Sequence, residues 1–390
     1  MKILLVGEYS RLHNSLKEGL ISLGHEVILV SSGDHFKKYD SDYSYNSYFF
    51  SKYWLPRKAK VLLYKITSID FGKVEKGLRF YALLPKLKGF DHVQLINSDA
   101  IETFPFFTRF LYKKLFKNSK SRSLLICGDE TPIIDYLLKK EFNYSFLTPY
   151  FVDNSLKKHF EYALKYNAKS YRKTFDWLVE NCQNLITSDL DYKIPMNKMG
   201  YSNHFIPNPI NIEKLHYQEL KTDSKIIIFL GINRINYFKK GIVFFEKALE
   251  IIKEKYADKV EIIVAENLPY IQYIQHYNKT HILLDQTFSY DQGYNALEAM
   301  AKGKVVFTGA EKEFLEHYGL EEDEVAINSL PDINYLVEKL SYLIENPQEI
   351  IAIGTRAKAF IEKEHDYIKI AEKYIQVWKT KTDNFSTIRS

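Results

Sequence analysis

Cysteine is scarce. Two residues among 390, Cys127 and Cys182, form no disulfide framework and no four-ligand zinc site, and they suit a reducing compartment. No stretch reaches the ~18 uncharged apolar residues that a membrane span requires. The apolar run near the start, Ile3 to Val6, stops at Gly7 and Glu8 and is too short for a signal-peptide core. No repeat shorter than a domain and no low-complexity tract is present, which excludes solenoids and disordered tails. Gly-x-Gly-x-x-Gly is absent, so there is no dinucleotide fingerprint, and no nucleic-acid recognition motif accompanies the basic residues. The expectation is a soluble, cytoplasmic protein that does not act on nucleic acid.

What remains is an ordinary globular composition, 46% hydrophobic, 15% aromatic and 26% charged. At ~100–200 residues per domain this length suggests two domains. The net charge of +5 is unevenly divided, +10 over residues 1–200 and −5 over 201–390. A basic first half points to an anionic partner, such as a membrane surface. Its densest stretch, Phe107–Arg122, interleaves Phe and Leu with six cations. It reads either as a solvated helix face or as an interfacial helix on acidic lipid. Nearby, Tyr43, Tyr45, Tyr48, Phe49, Phe50, Tyr53 and Trp54 read either as core or as a stacking surface for a sugar.

Short Ile/Val/Leu runs alternate with helical segments, twice over. In the first half the strand candidates are 2–6, 26–30, 92–96, 123–127, 145–148 and 184–188. Ser10 is placed to cap the first helix and Gly24 to end it. The second half restarts with 225–231, 259–266, 281–285, 304–309 and 325–328. Uncharged strands separated by helices imply parallel sheets covered on both faces, hence an α/β chain of two Rossmann-like layers. The seam falls near His204–Leu215, where two prolines interrupt the pattern. The divisions are therefore 1–203, 204–365, and a closing helix and tail over 366–390. Ligands of such sheets sit at the carboxyl ends of the strands, so the strand-to-helix turns hold the candidates.

Two turns of the second half carry chemistry. After KIIIFLG, Arg234, Lys239, Lys240 and Gly241 precede a helix, a setting for an anion such as a diphosphate. After HILLD, Gly293 opens a helix and lets a phosphate approach backbone N–H groups. Glu298 lies within that helix between small residues and suits a vicinal diol such as a ribose. In the first half, the turn after KILLV carries Glu8, Ser10 and His13 as acceptor-side candidates, with packing or capping the plainer role for His13. The turn after SLLIC carries Asp129 and Glu130. The Asp-x-Asp at Asp189-Leu190-Asp191 reads as a cap or surface feature far from the phosphate turns.

Arg-x5-Lys-Gly, followed by Gly-x4-Glu-Ala-Met-Ala-x-Gly-x-Val-Val, resembles the retaining glycosyltransferases of family 4, which have the GT-B fold. The linker IPNPINIEKL and the closing segment from Gly354 are similar to theirs, over roughly 204–380. The resemblance implies two Rossmann-like domains facing across a cleft, with the last helix crossing back onto the first. It implies that Arg234 and Lys240 neutralise the donor diphosphate and that Glu298 holds the ribose, with Asn233, Lys239, Tyr290, Asp291, Gln292 and Gly293 nearby. A UDP-, GDP- or dTDP-sugar would be the donor and a glycan or lipid-linked carrier the acceptor. The product would be a surface polysaccharide or similar glycan, made on the inner face of the membrane. No metal and no further cofactor is implied.

Two departures stand out. Eight residues before Glu298, where the family has an acid that contacts the donor sugar, the chain has Tyr290, with Asp291 beside it. Where many members have a histidine in the first domain, it has Asp129 or Glu130. An acid there accepts a hydrogen bond from a sugar hydroxyl, or caps a helix. Two other readings stay open: a non-catalytic nucleotide-binding module, and a nucleotide-sugar epimerase.

Overall fold

The computed structural model describes all residues except 34–38, 68, 216, 218–219, 223, 267–269 and 381–390, so the last ten residues of the expected closing segment lie outside it. Seven parallel strands form the first sheet: β1 (Lys2–Val6), β2 (Glu26–Ser31), β3 (Tyr43–Ser44), β4 (Phe90–Leu95), β5 (Ser119–Ile126), β6 (Asn184–Thr187) and β7 (His204–Phe205). Five more form the second: β8 (Ile226–Ile232), β9 (Val260–Glu266), β10 (Ile282–Leu284), β11 (Val305–Thr308) and β12 (Ile327–Asn328). The orders are β3-β2-β1-β4-β5-β6-β7 and β12-β11-β10-β8-β9. Both are the doubly wound Rossmann-like arrangement that the alternating pattern implies. In β1, Ile3 to Val6 are all buried, because helices cover both faces of the sheet.

Among the described residues, ten α-helices belong to the first domain: α1 (Leu12–Ser22), α2 (Phe49–Lys52), α3 (Trp54–Thr67), α4 (Phe71–Leu83), α5 (Pro105–Phe116), α6 (Thr131–Leu138), α7 (Thr148–Val152), α8 (Lys157–Leu164), α9 (Lys169–Asn181) and α10 (Leu190–Lys198). Six accompany the second sheet: α11 (Ile242–Lys255), α12 (Tyr270–Lys279), α13 (Tyr294–Ala301), α14 (Lys312–Tyr318), α15 (Ile333–Glu345) and α16 (Pro347–Glu364). The last, α17 (Tyr367–Lys379), returns to the first domain, where Ile370, Tyr374 and Trp378 join its core. It crosses α1 at Gly19, where a Cβ would lie 2.2 Å from the Tyr367 carbonyl oxygen, so only glycine permits this approach. Trp378 stacks on buried His92 at 4.2 Å and donates to Gln94 Oε1 at 3.2 Å.

Four local expectations change. Residues 145–148 form a turn into α7, closed by the Thr148 N–H donating to the Ser145 carbonyl, not a strand. Two small edge strands, β3 and β7, were invisible to periodicity because two residues carry no alternation. The cation-rich stretch at 107–122 is not one helix: α5 buries Thr108, Leu111, Tyr112, Leu115 and Phe116 and leaves Lys113 and Lys114 on a solvated face, and the rest enters β5. Nor does Ser10 cap α1. The Glu8 carboxylate accepts from the Asn14 N–H at 2.8 Å and from its Nδ2 at 2.7 Å, while Ser10 and Arg11 take left-handed backbone conformations.

Candidate functional site

Strand order reverses between β8 and β10 in the second sheet, and between β1 and β4 in the first. In doubly wound sheets these switch points open the crevice that receives ligands. The loop after β8 (233–241) and the loop after β10 (285–293) are therefore placed side by side by topology alone.

Asn233 opens the first of these loops, its Oδ1 accepting from the Ile235 N–H at 3.0 Å. Gly241 ends it at φ 64°, and a Cβ there would sit 2.0 Å from Thr287 Oγ1. Glycine thus seats one loop directly on the other, and Lys240 lands beside the end of β10. Its Nζ donates to Asp285 Oδ1 at 2.7 Å, and Asn295 Nδ2 of α13 donates to the same oxygen at 2.9 Å. Asp285, with its side chain 1% exposed, joins the lysine loop to the first turn of α13. Periodicity missed this residue, though an acid closing the apolar run HILLD was a visible signal.

Arg234 stands further out. Its side chain is 53% exposed, and Nε donates to Glu266 Oε1 at 2.6 Å, at the end of β9. Lys239 turns the other way, across the domain boundary. Its Nζ lies 3.4 Å from Asp129 Oδ1 and 4.2 Å from the Phe146 ring centre. Each cation of this turn therefore faces a carboxylate, so the site is a set of ion pairs and not a pocket of unbalanced positive charge.

Gly293 is the N-cap residue of α13, with no side-chain cap. The first amides of a helix have no intrahelical partner and carry the positive end of its dipole. Glu298 lies one turn into α13 and is half-buried. Gln292 is buried, and its Nε2 donates to the Gly309 carbonyl at 2.7 Å. Tyr294, not among the expected residues, is one turn before Glu298 and packs against the hydrophobic clusters of both domains, with its hydroxyl on the Pro209 carbonyl.

Tyr290 and Asp291 belong to the seam between domains. The Tyr290 ring stacks on Phe142 at 4.3 Å and its hydroxyl accepts from the Asn143 N–H at 3.2 Å. Asp291 Oδ2 accepts from the Leu190 N–H at the start of α10, at 2.9 Å. The Asp-x-Asp pair is not remote from the phosphate turns as expected. Asp189 does cap α10, accepting from the Asp191 N–H at 2.8 Å. Asp191, however, accepts from the Ser289 hydroxyl and from the Tyr290 N–H at 3.0 Å. Burial raises all three aspartates above the usual carboxylate range, Asp291 to about 7. Among the described residues no three His, Cys, Asp or Glu are arranged to hold a metal ion.

On the first domain's side, Asp129 faces the cleft through Lys239, while Glu130 caps α6. Glu130 Oε1 accepts from the Thr131 N–H at 2.9 Å and from the Ser98 hydroxyl at 2.7 Å, and burial pushes its pKa to about 7. His13 is wholly enclosed. Its Nδ1 meets the Gly7 carbonyl at 2.7 Å and so carries the proton, and Nε2 accepts from Gln94 Nε2 at 3.2 Å. Burial lowers its pKa to about 3, keeping the ring neutral. Sequence reasoning missed a second charged group at the ends of β1, β2 and β4. Lys165 pairs with Asp99 at 2.8 Å, and Lys76 with Glu102. Lys73 lies close enough that burial and the Lys165 charge lower its pKa. These lysines come from α4 and the end of α8, too far along the chain for any motif to join them.

Comparison with known proteins places this geometry. Residues 242–376 match the model of a family described as glycosyl transferase-like. No curated protein matches the sequence. Sucrose-phosphate synthase from Thermosynechococcus elongatus superposes with a TM-score of 0.61 at 13% identity, over 97% of this chain and 98% of that one. Anabaena HepE, solved in complex with UDP and glucose, gives 0.57 at 12%, over 96% and 98%. A putative UDP-N-acetylglucosamine 2-epimerase from Listeria monocytogenes gives 0.51 at 11%, over 98% of each chain. Identities this low establish the shared fold, the two-domain GT-B architecture. The match begins just after the loop that holds Lys240, covers Asp285, Gly293 and Glu298, and supports a glycosyltransferase.

Proposed function

We propose that the protein transfers a sugar from a nucleoside diphosphate donor to a carbohydrate or lipid-linked acceptor in glycan biosynthesis. The observation that carries this is the convergence of Lys240, Asp285, Asn295 and the opening of α13 at the β8/β10 switch point, with Asp285, Asn295 and α13 inside the segment 242–376 that matches a glycosyl transferase-like family. The donor diphosphate would lie on the α13 amides, with Lys240 and Arg234 on its oxygens and Glu298 on the ribose hydroxyls. Arg234 reaches it by releasing Glu266, an exposed pair that exchanges easily. These side chains supply the charge that a metal would otherwise bring.

The acceptor would enter from the first domain, where Asp129 and the Lys73–Lys76–Lys165 group line the strand ends. In the retaining course that the family resemblance implies, the acceptor oxygen bonds to the anomeric carbon on the face the diphosphate leaves. The carbon–oxygen bond to phosphate breaks, and a leaving phosphate oxygen takes the acceptor's proton. Catalysis is then chiefly electrostatic, since the charge growing on the diphosphate meets the α13 amides and Lys240, with Arg234 recruited from its exposed pair. With Tyr290 held in the seam by Phe142 and Asn143, contact with the donor sugar falls to the neighbouring backbone and to Asp129.

A panel of UDP-, GDP- and dTDP-sugars in a thermal-shift assay tests donor binding, since a ligand of the folded state raises the melting temperature. No shift with any of them would defeat the reading. Because an epimerase shares the fold, the donor responding best is then incubated alone. Unchanged sugar nucleotide supports transfer, and an epimerised one overturns it. Binding without turnover on any glycan acceptor would leave a nucleotide-binding module.

A further inference from the structure

Among the described residues the two sheets have four edges, and three of them are short. β3, β7 and β12 have two residues each, which leaves little backbone for another strand to pair with. The fourth, β9, runs for seven residues, VEIIVAE, in unbroken register with β8. Its other side faces no strand of the sheet, and it has no lysine, proline or bulge to blunt that edge. Doubly wound sheets with six strands take the order 3-2-1-4-5-6. The second sheet is that order without its third strand, so β9 holds the second place and the edge. A right-handed crossover to a third strand would lay its helix beside α11, on the same face.

That place is an open groove. It has a volume of about 720 Å³ between α11 and β9, with Val243, Leu249, Val260, Ile262 and Val264 as its apolar lining. Val264 is 50% exposed. On the helix side the groove is bordered by Glu246, Lys247, Glu250 and Lys253. Among the described residues none of the four is in an ion pair within the chain, though Glu246 accepts from the Tyr237 hydroxyl. Their order is acid, base, acid, base. Reversed, it is base, acid, base, acid, so an antiparallel copy sets Glu246 against Lys253 and Lys247 against Glu250. A parallel copy would set like on like, and a wholly acidic or wholly basic partner would oppose half of these charges with their own sign.

We propose that β9 and α11 form a two-fold interface between two copies of the chain, with β9 of one copy antiparallel to β9 of the other. The two five-stranded sheets then continue as one sheet of ten. Opposed residues of an antiparallel pair share a face. With Ile263 on the axis, Ile262 and Val264 of one copy therefore pack on Val264 and Ile262 of the second copy. Paired strands lie ~4.8 Å apart, so the same pairing carries the two α11 helices toward each other over the joined edge. β9 ends at Glu266, the partner of Arg234, so the interface borders the donor loop. It stands apart from sugar transfer, because its test changes no residue assigned to the donor.

Light scattering on the full chain, over a series of concentrations, reads the mass in solution. The wild type is expected to approach twice the mass of one chain as concentration rises. Val264→Lys puts two cations beside the axis and should leave a monomer throughout, with circular dichroism unchanged because the position is half exposed. Lys247→Glu should raise the dimer dissociation constant on the order of tenfold, because the two-fold repeats each rim pair. Adding Glu250→Lys to that variant sets opposite charges against each other again and should recover the wild-type constant. A wild type that stays monomeric at every concentration would overturn the proposal. So would a dimer that Val264→Lys leaves intact, or a loss in Lys247→Glu that Glu250→Lys does not restore.

Discussion

The chain has cations in two settings, and the contrast decides what each can do. In the turn after β8, Arg234, Lys239 and Lys240 each face a carboxylate: Glu266, Asp129 and Asp285. On α11, Lys247 and Lys253 alternate with Glu246 and Glu250 along a groove, and among the described residues none of the four is in an ion pair within the chain. The first set is preorganised and nearly neutral, so it receives a charge only by exchanging partners. The second is also neutral in sum but unpaired, so it suits a surface that repeats its order in reverse. Net charge summed by half-chain could not separate these, because pairing depends on which strand ends a topology brings together.

Lys240 offers the largest break in that comparison. If its pairing with Asp285 holds a donor-binding cation in place, Lys240→Met should lower turnover by ~10²–10³, the scale seen when one preorganised electrostatic donor is removed. Near-normal turnover in a quenched assay of nucleoside diphosphate release would show that the pair is only structural. Glu298→Gln comes next. Losing a charge-assisted hydrogen bond worth about 1.5–3 kcal/mol should weaken nucleotide binding by roughly ten- to a hundredfold. Calorimetry that returned an unchanged affinity would remove the ribose role, provided the variant melts like the wild type.

The sheets and the positions of the loops after β8 and β10 were legible because buried parallel strands are written as uninterrupted apolar runs, each ending in a polar turn. The seam was not. Asp191 and Ser289 are 98 positions apart, Asn143 and Tyr290 are 147 apart, and neither pair leaves a local signal. The same reason hid Asp99 and Lys165. At β9 the pattern was present, but periodicity alone does not say whether a strand is central or an edge. That is why the cation-rich residues after Phe107 drew attention and Ile262 to Val264 did not. Glu130 and Asp129 show the finer limit: adjacent acids, one spent on capping α6 and the other on the cleft.

The seam also sets a dependence on pH. Asp291 and Glu130 hold protons up to about 7, far above their unfolded values, so their burial is fully tolerated only at low pH. Their contribution is lost as pH rises through the folded pKa. The buried histidines His13 and His92, lowered to about 3, act in the opposite sense and weaken the fold as pH falls below their unfolded value. Above about pH 6.5 the histidines no longer offset the carboxyls. Lys304, lowered to about 7 by burial, acts in the opposite sense above that pH, so the seam is read by difference: relative to wild type, Asp291→Asn should gain melting temperature as pH rises from about 4.5 to 7, on the order of a few degrees. A difference between the two proteins that stays flat over that interval would show that Asp291 is already ionised in the fold.

The mildest test concerns Arg234, whose pairing a donor diphosphate would have to undo on the proposed reading. Both partners are accessible, with Arg234 53% and Glu266 33% exposed, so water already competes for each charge. Glu266→Gln keeps the shape of the side chain and removes its claim on the guanidinium. If Glu266 merely occupies the arginine until a diphosphate arrives, the variant should bind the donor more tightly, by up to roughly fivefold, the range of an exposed ion pair. Arg234→Ala should cancel that gain in the double variant, since the two changes then act on one interaction. Weaker binding in Glu266→Gln would reverse the assignment. It would mean that the carboxylate holds Arg234 in its working position, so that this outermost pair belongs with Lys240 and Asp285 as part of the preorganised site.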